Sequence, residues 1–214
     1  MNGLVACIFA EFALLAMIVP GLSLLRRKVR GKLALALMPP ALVTLPLLAM
    51  ARLQLVSFYG SPTEAMTAVI TAQALAIAFS LALCGTSALF SRRWPIGGPA
   101  FVALVAVIIL ASPVWGDVVL LLKSQTILRF TQTWLVAANP LFSISRAADF
   151  DWTHAAVLYN LSTRIGEDLV YEPASWRLQA IVYAAIGLLS AAVSVLVRQA
   201  GRPAEYLLSP GERL

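Results

Sequence analysis

The chain has 214 residues, 60% of them hydrophobic and only 12% charged, with a mean hydropathy of +0.86. Soluble domains run at ~45–50% apolar and ~25% charged. Half the usual charge cannot cover a water-facing surface of this size, and the abundant apolar area excludes intrinsic disorder. The class that remains is an all-α, polytopic helical membrane protein forming a single membrane domain over residues 1–214.

The formal net charge is +6, from 16 Lys and Arg against 10 Asp and Glu. Its placement argues against nucleic acid. Arg26, Arg27, Lys28, Arg30 and Lys32 crowd one short hydrophilic gap between apolar segments, without aromatic or glycine interleaving. Cations so placed are topology determinants that rest against anionic headgroups or a cytoplasmic partner.

A spanning helix needs ~20 mostly apolar residues. The first stretch, 3–25, is apolar except for Glu11 and is followed by the basic cluster. It lacks the positively charged start of a secretory signal, is too long, and carries its charge after the apolar part, so it reads as a retained helix. The second, 33–51, carries Pro39, Pro40 and Pro46, expected to bend or break it. The third covers 66–90 and the fourth 99–117, with Pro113 near its end. A long segment, 118–175, follows. Its apolar pieces 118–122 and 127–138 are interrupted by Lys123, Arg129 and Gln132 and are too short to cross. They suit amphipathic or re-entrant helices at the outer interface. Trp134, Trp152 and Trp176 fit an aromatic belt, Asn139–Pro140 marks a turn or break, and 152–169 reads as another external helix. The fifth span is 176–197, and 198–214 forms a tail.

Charge orients these five spans. The 26–32 loop holds five basic residues and no acid, the 91–98 loop adds Arg92 and Arg93, and the tail adds Arg198, Arg202 and Arg213: five, two and three make ten of the sixteen. Alternation puts all three on one side. On the other, Asp149, Asp151, Glu167, Asp168 and Glu172 offset the basic residues. The positive-inside rule then sets the N-terminus outside and the C-terminus in the cytoplasm, with the inner (plasma) membrane of a bacterium as the expected location. Asn160, Leu161 and Ser162 form a glycosylation sequon that would matter only in a secretory eukaryotic setting. No tandem repeat is present, and five spans do not divide into two matching inverted halves.

Few residues offer chemistry. Glu11 is the one acid deep in a span. It is either a relay or substrate contact, or a carboxyl hydrogen-bonded across helices or near enough the outer face to reach water. His154, the sole histidine, lacks co-ligands at metal-site spacing and reads as solvated. Cys7 and Cys84 lie in apolar runs and read as small buried hydrophobes. No nucleophile-elbow, zinc-protease, Walker-type or Rossmann pattern occurs, so neither catalysis nor a cofactor is expected. Ala74, Ala78 and Ala82 in the third span, and Gly187 and Ala191 in the fifth, allow close helix contact.

In order, the chain carries Gly31-Lys32 followed by Leu-Ala-Leu-Ala-Leu-Met-Pro-Pro-Ala-Leu, an outer turn Gly60-Ser-Pro-Thr-Glu-Ala, and a small-residue helix ending Ala88-Leu-Phe-Ser-Arg-Arg93. An external region with Ala138-Asn-Pro-Leu-Phe142 and a last span leading into a basic tail complete the pattern. Over residues 13–200 this resembles the membrane domain of type-2 (export-class) ABC transporter permeases, including their external re-entrant element before the last helix. The family has six spans and a coupling helix that docks on the ATPase; relative to it, the first span and the coupling helix are missing here. The resemblance implies a non-catalytic permease-like subunit that pairs with a second permease subunit and a separate cytoplasmic ATPase. It would move a hydrophobic or amphiphilic substrate. The alternative is an accessory subunit packed against other membrane subunits of a respiratory or photosynthetic type of complex.

Overall fold

The computed structural model describes residues 3–22, 29–52, 62–112, 126, 134, 137–147 and 174–200; among them there are helices, turns and caps and no strand. Six helices carry the architecture of the described residues: α1 (Gly3–Gly21), α2 (Val29–Arg52), α3 (Pro62–Phe90), α4 (Gly97–Leu110), α5 (Pro140–Ala147) and α6 (Trp176–Ala200). Ala and Leu, the best apolar helix formers, dominate the long ones. Pro62 opens α3, where its missing N–H would have had no intrahelical partner.

α3 is the spine. The other five helices all pack against it, α4 also touches α1, and α5 also touches α6. Being apolar all round, α3 belongs inside, as its buried Val69, Leu75, Phe79 and Leu83 show. Two described helices, Ala65–Phe90 and Trp176–Val197, are long and apolar enough to cross a membrane; the first is 78% buried inside the protein and the second only 17%. Cys7–Gly21, Ala34–Leu47 and Gly97–Leu110 are shorter apolar helices.

Helices stand on all five expected stretches, with different ends. α1 runs to Gly21, a poor helix former, and residues 23–25 of the expected stretch lie outside the described residues. α2 starts at Val29, ahead of residue 33, and α3 at Pro62, ahead of 66. α4 runs from Gly97 and ends at Leu110, with Ala111 as its cap. Residues 113–117, and Pro113 with them, lie outside the described residues, as does most of 118–175. The prolines of α2 do not break it: Val29–Arg52 is one continuous helix through Pro39, Pro40 and Pro46. Each proline removes an N–H that would have served the carbonyl four residues earlier, a cost the surrounding packing absorbs.

α1 shows how burial sorts an apolar helix. Ile8, Glu11, Phe12, Leu15, Ala16 and Val19 face inward at helical spacing, while Cys7, Leu14 and Ile18 lie on the exposed side. Cys84 is buried as expected; Cys7 is not, because it falls on that outer face. The inward rings form a chain through the bundle. Phe12 of α1 meets Phe79 of α3 at 5.7 Å, and Phe79 meets Tyr183 of α6 edge-on at 5.3 Å.

The tightest crossing is between α3 and α6. A Cβ on Gly85 would sit 2.1 Å from the carbonyl oxygen of Gly187, and one on Gly187 would sit 2.5 Å from the backbone of Leu81. Gly187 is one of the small residues expected to allow close approach, and Ala78 and Ala82 are buried in the same core. Its counterpart is Gly85. A short turn joins α3 to α4, with Ser91 N–H donating to Ser87 O at 2.9 Å and Trp94 N–H to Phe90 O at 3.0 Å.

Backbone-to-backbone contact leaves no room for a methyl group. Gly85→Ala is expected to destabilise the protein by about 1–3 kcal/mol, read as a lowered thermal unfolding midpoint of the purified chain. Gly97→Ala, whose added Cβ would find only the Trp94 side chain at 3.7 Å, should leave the midpoint nearly unchanged.

Candidate functional site

Helical periodicity places Glu11 on the inner face of α1, against α3. Its carboxyl is 6% exposed, and Gln73 of α3 donates from Nε2 to Glu11 Oε2 at 2.7 Å. Glu11 Oε1 has no hydrogen-bond partner. Gln73 Oε1 in turn accepts from the Thr44 hydroxyl of α2 at 3.1 Å. The same hydroxyl lies 2.6 Å from Pro40 O, so its single hydrogen is shared between the two acceptors. One amide thus ties three helices together. Glu11 is a carboxyl hydrogen-bonded across helices.

A second polar cluster surrounds the Asn139–Pro140 break. Asn139 is fully buried. Its Nδ2 donates to Ser112 Oγ at 2.9 Å and to Leu110 O at 3.2 Å, anchoring the segment to the end of α4. Asn139 Oδ1 accepts from Leu141 N–H at 2.9 Å, capping α5, whose first residue is Pro140. On the other side Gln179 Nε2 donates to Ala137 O at 3.0 Å, and the Tyr183 hydroxyl donates to Ala138 O. Ser143 Oγ donates to Ala174 O at 2.9 Å. The carbonyls that the break releases are therefore taken up by side chains of α6, and the segment is clasped between α4 and α6.

A cavity of about 220 Å³ lies between α3, α4 and α6, walled by Phe79, Leu83, Phe101, Val102, Ala106 and Ile186 among others. Two hydroxyls belong to its wall, and both are engaged elsewhere. Thr86 donates to Ala82 O of its own helix at 2.6 Å, and Tyr183 serves Ala138. The wall offers hydrocarbon contact.

The basic residues divide. Arg92 is half-buried and Arg93 exposed in the turn after α3, followed by exposed Trp94 and Ile96. Arg30 and Lys32 lie at the start of α2, while Arg26, Arg27 and Lys28 lie outside the described residues. His154, Trp152, the Asn160 sequon and the acids from Asp149 to Glu172 also lie outside them. Trp134 is exposed, and Trp176 is half-buried at the start of α6 with the Arg177 guanidinium 5.5 Å from its ring centre. Among the described residues no three His, Cys, Asp or Glu side chains gather at metal-binding distance.

Sequence reasoning named Glu11 but missed Gln73. The signal was present, since Gln73 is the lone carboxamide in the apolar run 65–90, and an amide there needs an internal partner. Asn139 was read as punctuation; its role as a clasp needs Ser112, Gln179 and Tyr183, which only the fold assembles.

Comparison of the chain with family models, curated proteins and solved structures returned no match.

Removing the clasp should loosen 137–147 selectively. For Asn139→Ala we expect a loss of about 1–3 kcal/mol, together with faster hydrogen exchange in α5 and at Ala111 and Ser112. Exchange in the middle of α1 should be unchanged.

Proposed function

We propose that this chain is a five-span helical membrane protein, the permease-like subunit of an ABC-type exporter. It would form a translocation path for a hydrophobic or amphiphilic substrate while a separate cytoplasmic ATPase supplies the energy. The observation that carries the membrane part is polarity turned inside out. Leu14, Leu45, Phe101, Leu104, Leu189 and Leu196 are each at least half exposed, while Glu11, Gln73, Asn139 and Gln179 are buried and bonded across elements. In water that arrangement exposes far more contiguous apolar surface than a monomer tolerates. In lipid it is what is required, because polar groups there must find partners within the protein.

The permease part rests on the order of elements described above. It is supported by the clasped Asn139–Pro140 segment before α6, since interrupted backbone at membrane depth is tolerated only where protein groups satisfy it. The basic turn at Arg92 and Arg93, beside exposed Trp94 and Ile96, suits the headgroup layer of the inner leaflet. The hydrocarbon wall of the α3–α4–α6 cavity suits an apolar substrate.

Purification in mild detergent tests the partner. A nucleotide-binding ATPase is expected to co-purify in a fixed ratio; recovery of cofactor-bearing redox subunits in its place would support the accessory-subunit reading. Topology has its own test. In a Cys7→Ala, Cys84→Ala background, Lys28→Cys should react with an impermeant thiol reagent only after the cell is opened. Reaction in intact cells would reverse the orientation, and a chain that stays dissolved without detergent would end the membrane reading.

A further inference from the structure

We infer that the α3–α4–α6 cavity holds one acyl chain of an anionic phospholipid whose headgroup rests on the Arg92–Arg93 turn. The inference rests on the membrane reading above and is independent of any ATPase. The cavity is a slot along α3. Its wall runs from Phe79 to Phe90, eleven residues apart on that helix, or ~16 Å at ~1.5 Å per residue. One leaflet's share of a ~30 Å hydrocarbon core is ~15 Å. Aromatic pairs stand at both ends: Phe79 with Tyr183 at 5.3 Å, and Phe90 with Phe101 at 5.8 Å. Phe79, Ala82 and Ala106 are buried in the floor, whereas Phe101, Val105 and Ile186 are 50%, 37% and 42% exposed. The slot therefore opens sideways, between α4 and α6, toward the lipid.

Its wall selects hydrocarbon. The hydroxyls of Thr86 and Tyr183 are committed to Ala82 O and Ala138 O, so neither is left to receive a polar guest. An apolar cavity of ~150 Å³ stays dry and takes up a molecule such as benzene. One of about 220 Å³ drawn out along a helix suits a length of unbranched chain better than a compact ring system.

The headgroup end is fixed by the turn. Arg93 N–H and Trp94 N–H both donate to Phe90 O, at 3.1 and 3.0 Å, so the turn is wound on the residue that lines the end of the slot. The start of α4 is pinned at the same place, where a Cβ on Gly98 would lie 2.7 Å from the carbonyl carbon of Phe90. Arg92 and Arg93 are the two charged residues in the stretch 65–116, one half-buried and the other exposed. Exposed Trp94 and Ile96 follow them, which suits the headgroup layer. A guanidinium pairs with phosphate through two parallel hydrogen bonds, and basic sites beside membrane helices favour anionic headgroups. Slot and turn thus lie end to end, as do the tail and phosphate of one phospholipid.

The test uses the full chain in mild detergent, offered equal amounts of phosphatidylglycerol and phosphatidylcholine and weighed intact by native mass spectrometry. One phosphatidylglycerol should be retained, favoured over phosphatidylcholine by about tenfold, as two basic residues near a headgroup imply. Arg92→Gln with Arg93→Gln should abolish the preference and leave weak, equal binding of both lipids. Val105→Trp, which fills the mouth of the slot, should lose both, while Leu104→Trp, on α4 but outside the wall, should behave as wild type. Equal retention of the two lipids by wild type, or retention that Val105→Trp leaves intact, overturns the proposal. Should the variants fold poorly, wild type decides alone. Phosphatidylglycerol carrying a photoreactive group in its chain should label residues 82–90 and 101–109. Labelling spread evenly over the outer faces of α1, α2 and α6, or a slot left unlabelled because the protein's own chain fills it, refutes the site. Failure of the membrane reading shows separately, as a chain that stays dissolved without detergent.

Discussion

Among the described residues, the buried carboxamides Gln73, Asn139 and Gln179 each donate to a group on another element of the protein. That constraint organises the rest. Gln73 meets it by bonding Glu11 on one side and Thr44 on the other, which fixes α1 and α2 around α3. Asn139 meets it with Ser112, Leu110 O and Leu141 N–H, which fixes the break before α5 against the end of α4. With so many large apolar side chains on the outer faces of the described helices, nonspecific burial favours no single arrangement. The directional bonds choose among packings that hydrocarbon contact alone would leave nearly equal.

The two polar centres lie at different places in the bundle, and aromatic rings bridge them. Phe12 is one residue beyond Glu11 on α1, Phe79 is on α3, and Tyr183 on α6 holds Ala138 O beside Asn139. Tyr183 therefore does two jobs. Its ring packs edge-on against Phe79 in the core, and its hydroxyl supports the interrupted backbone. Phe79 and Tyr183 also belong to the wall of the α3–α4–α6 cavity.

Much of the fold was legible in the sequence. Long apolar runs separated by charge marked helices at all five stretches, and small residues marked Gly187 as a close contact. Ends were less legible, because α1 and α4 end at Gly21 and Leu110 inside apolar text that reads on without interruption. The inner and outer faces of α1 were hidden for a related reason: Cys7, Leu14 and Ile18 are as apolar as Ile8, Phe12 and Leu15, so periodicity had no contrast to detect. The prolines of α2 looked like breaks, yet local propensity yielded to packing, and the helix is continuous. Glu11 stood out as a lone acid. Its partner Gln73 lies 62 residues away, and no pattern within one segment reveals a pairing of that range.

The glycine crossing has a mechanical consequence. With the backbones of Gly85 and Gly187 this close, a side chain at either position would wedge α3 and α6 apart. The two long helices are thus in direct main-chain contact at that level, with no side chain between them.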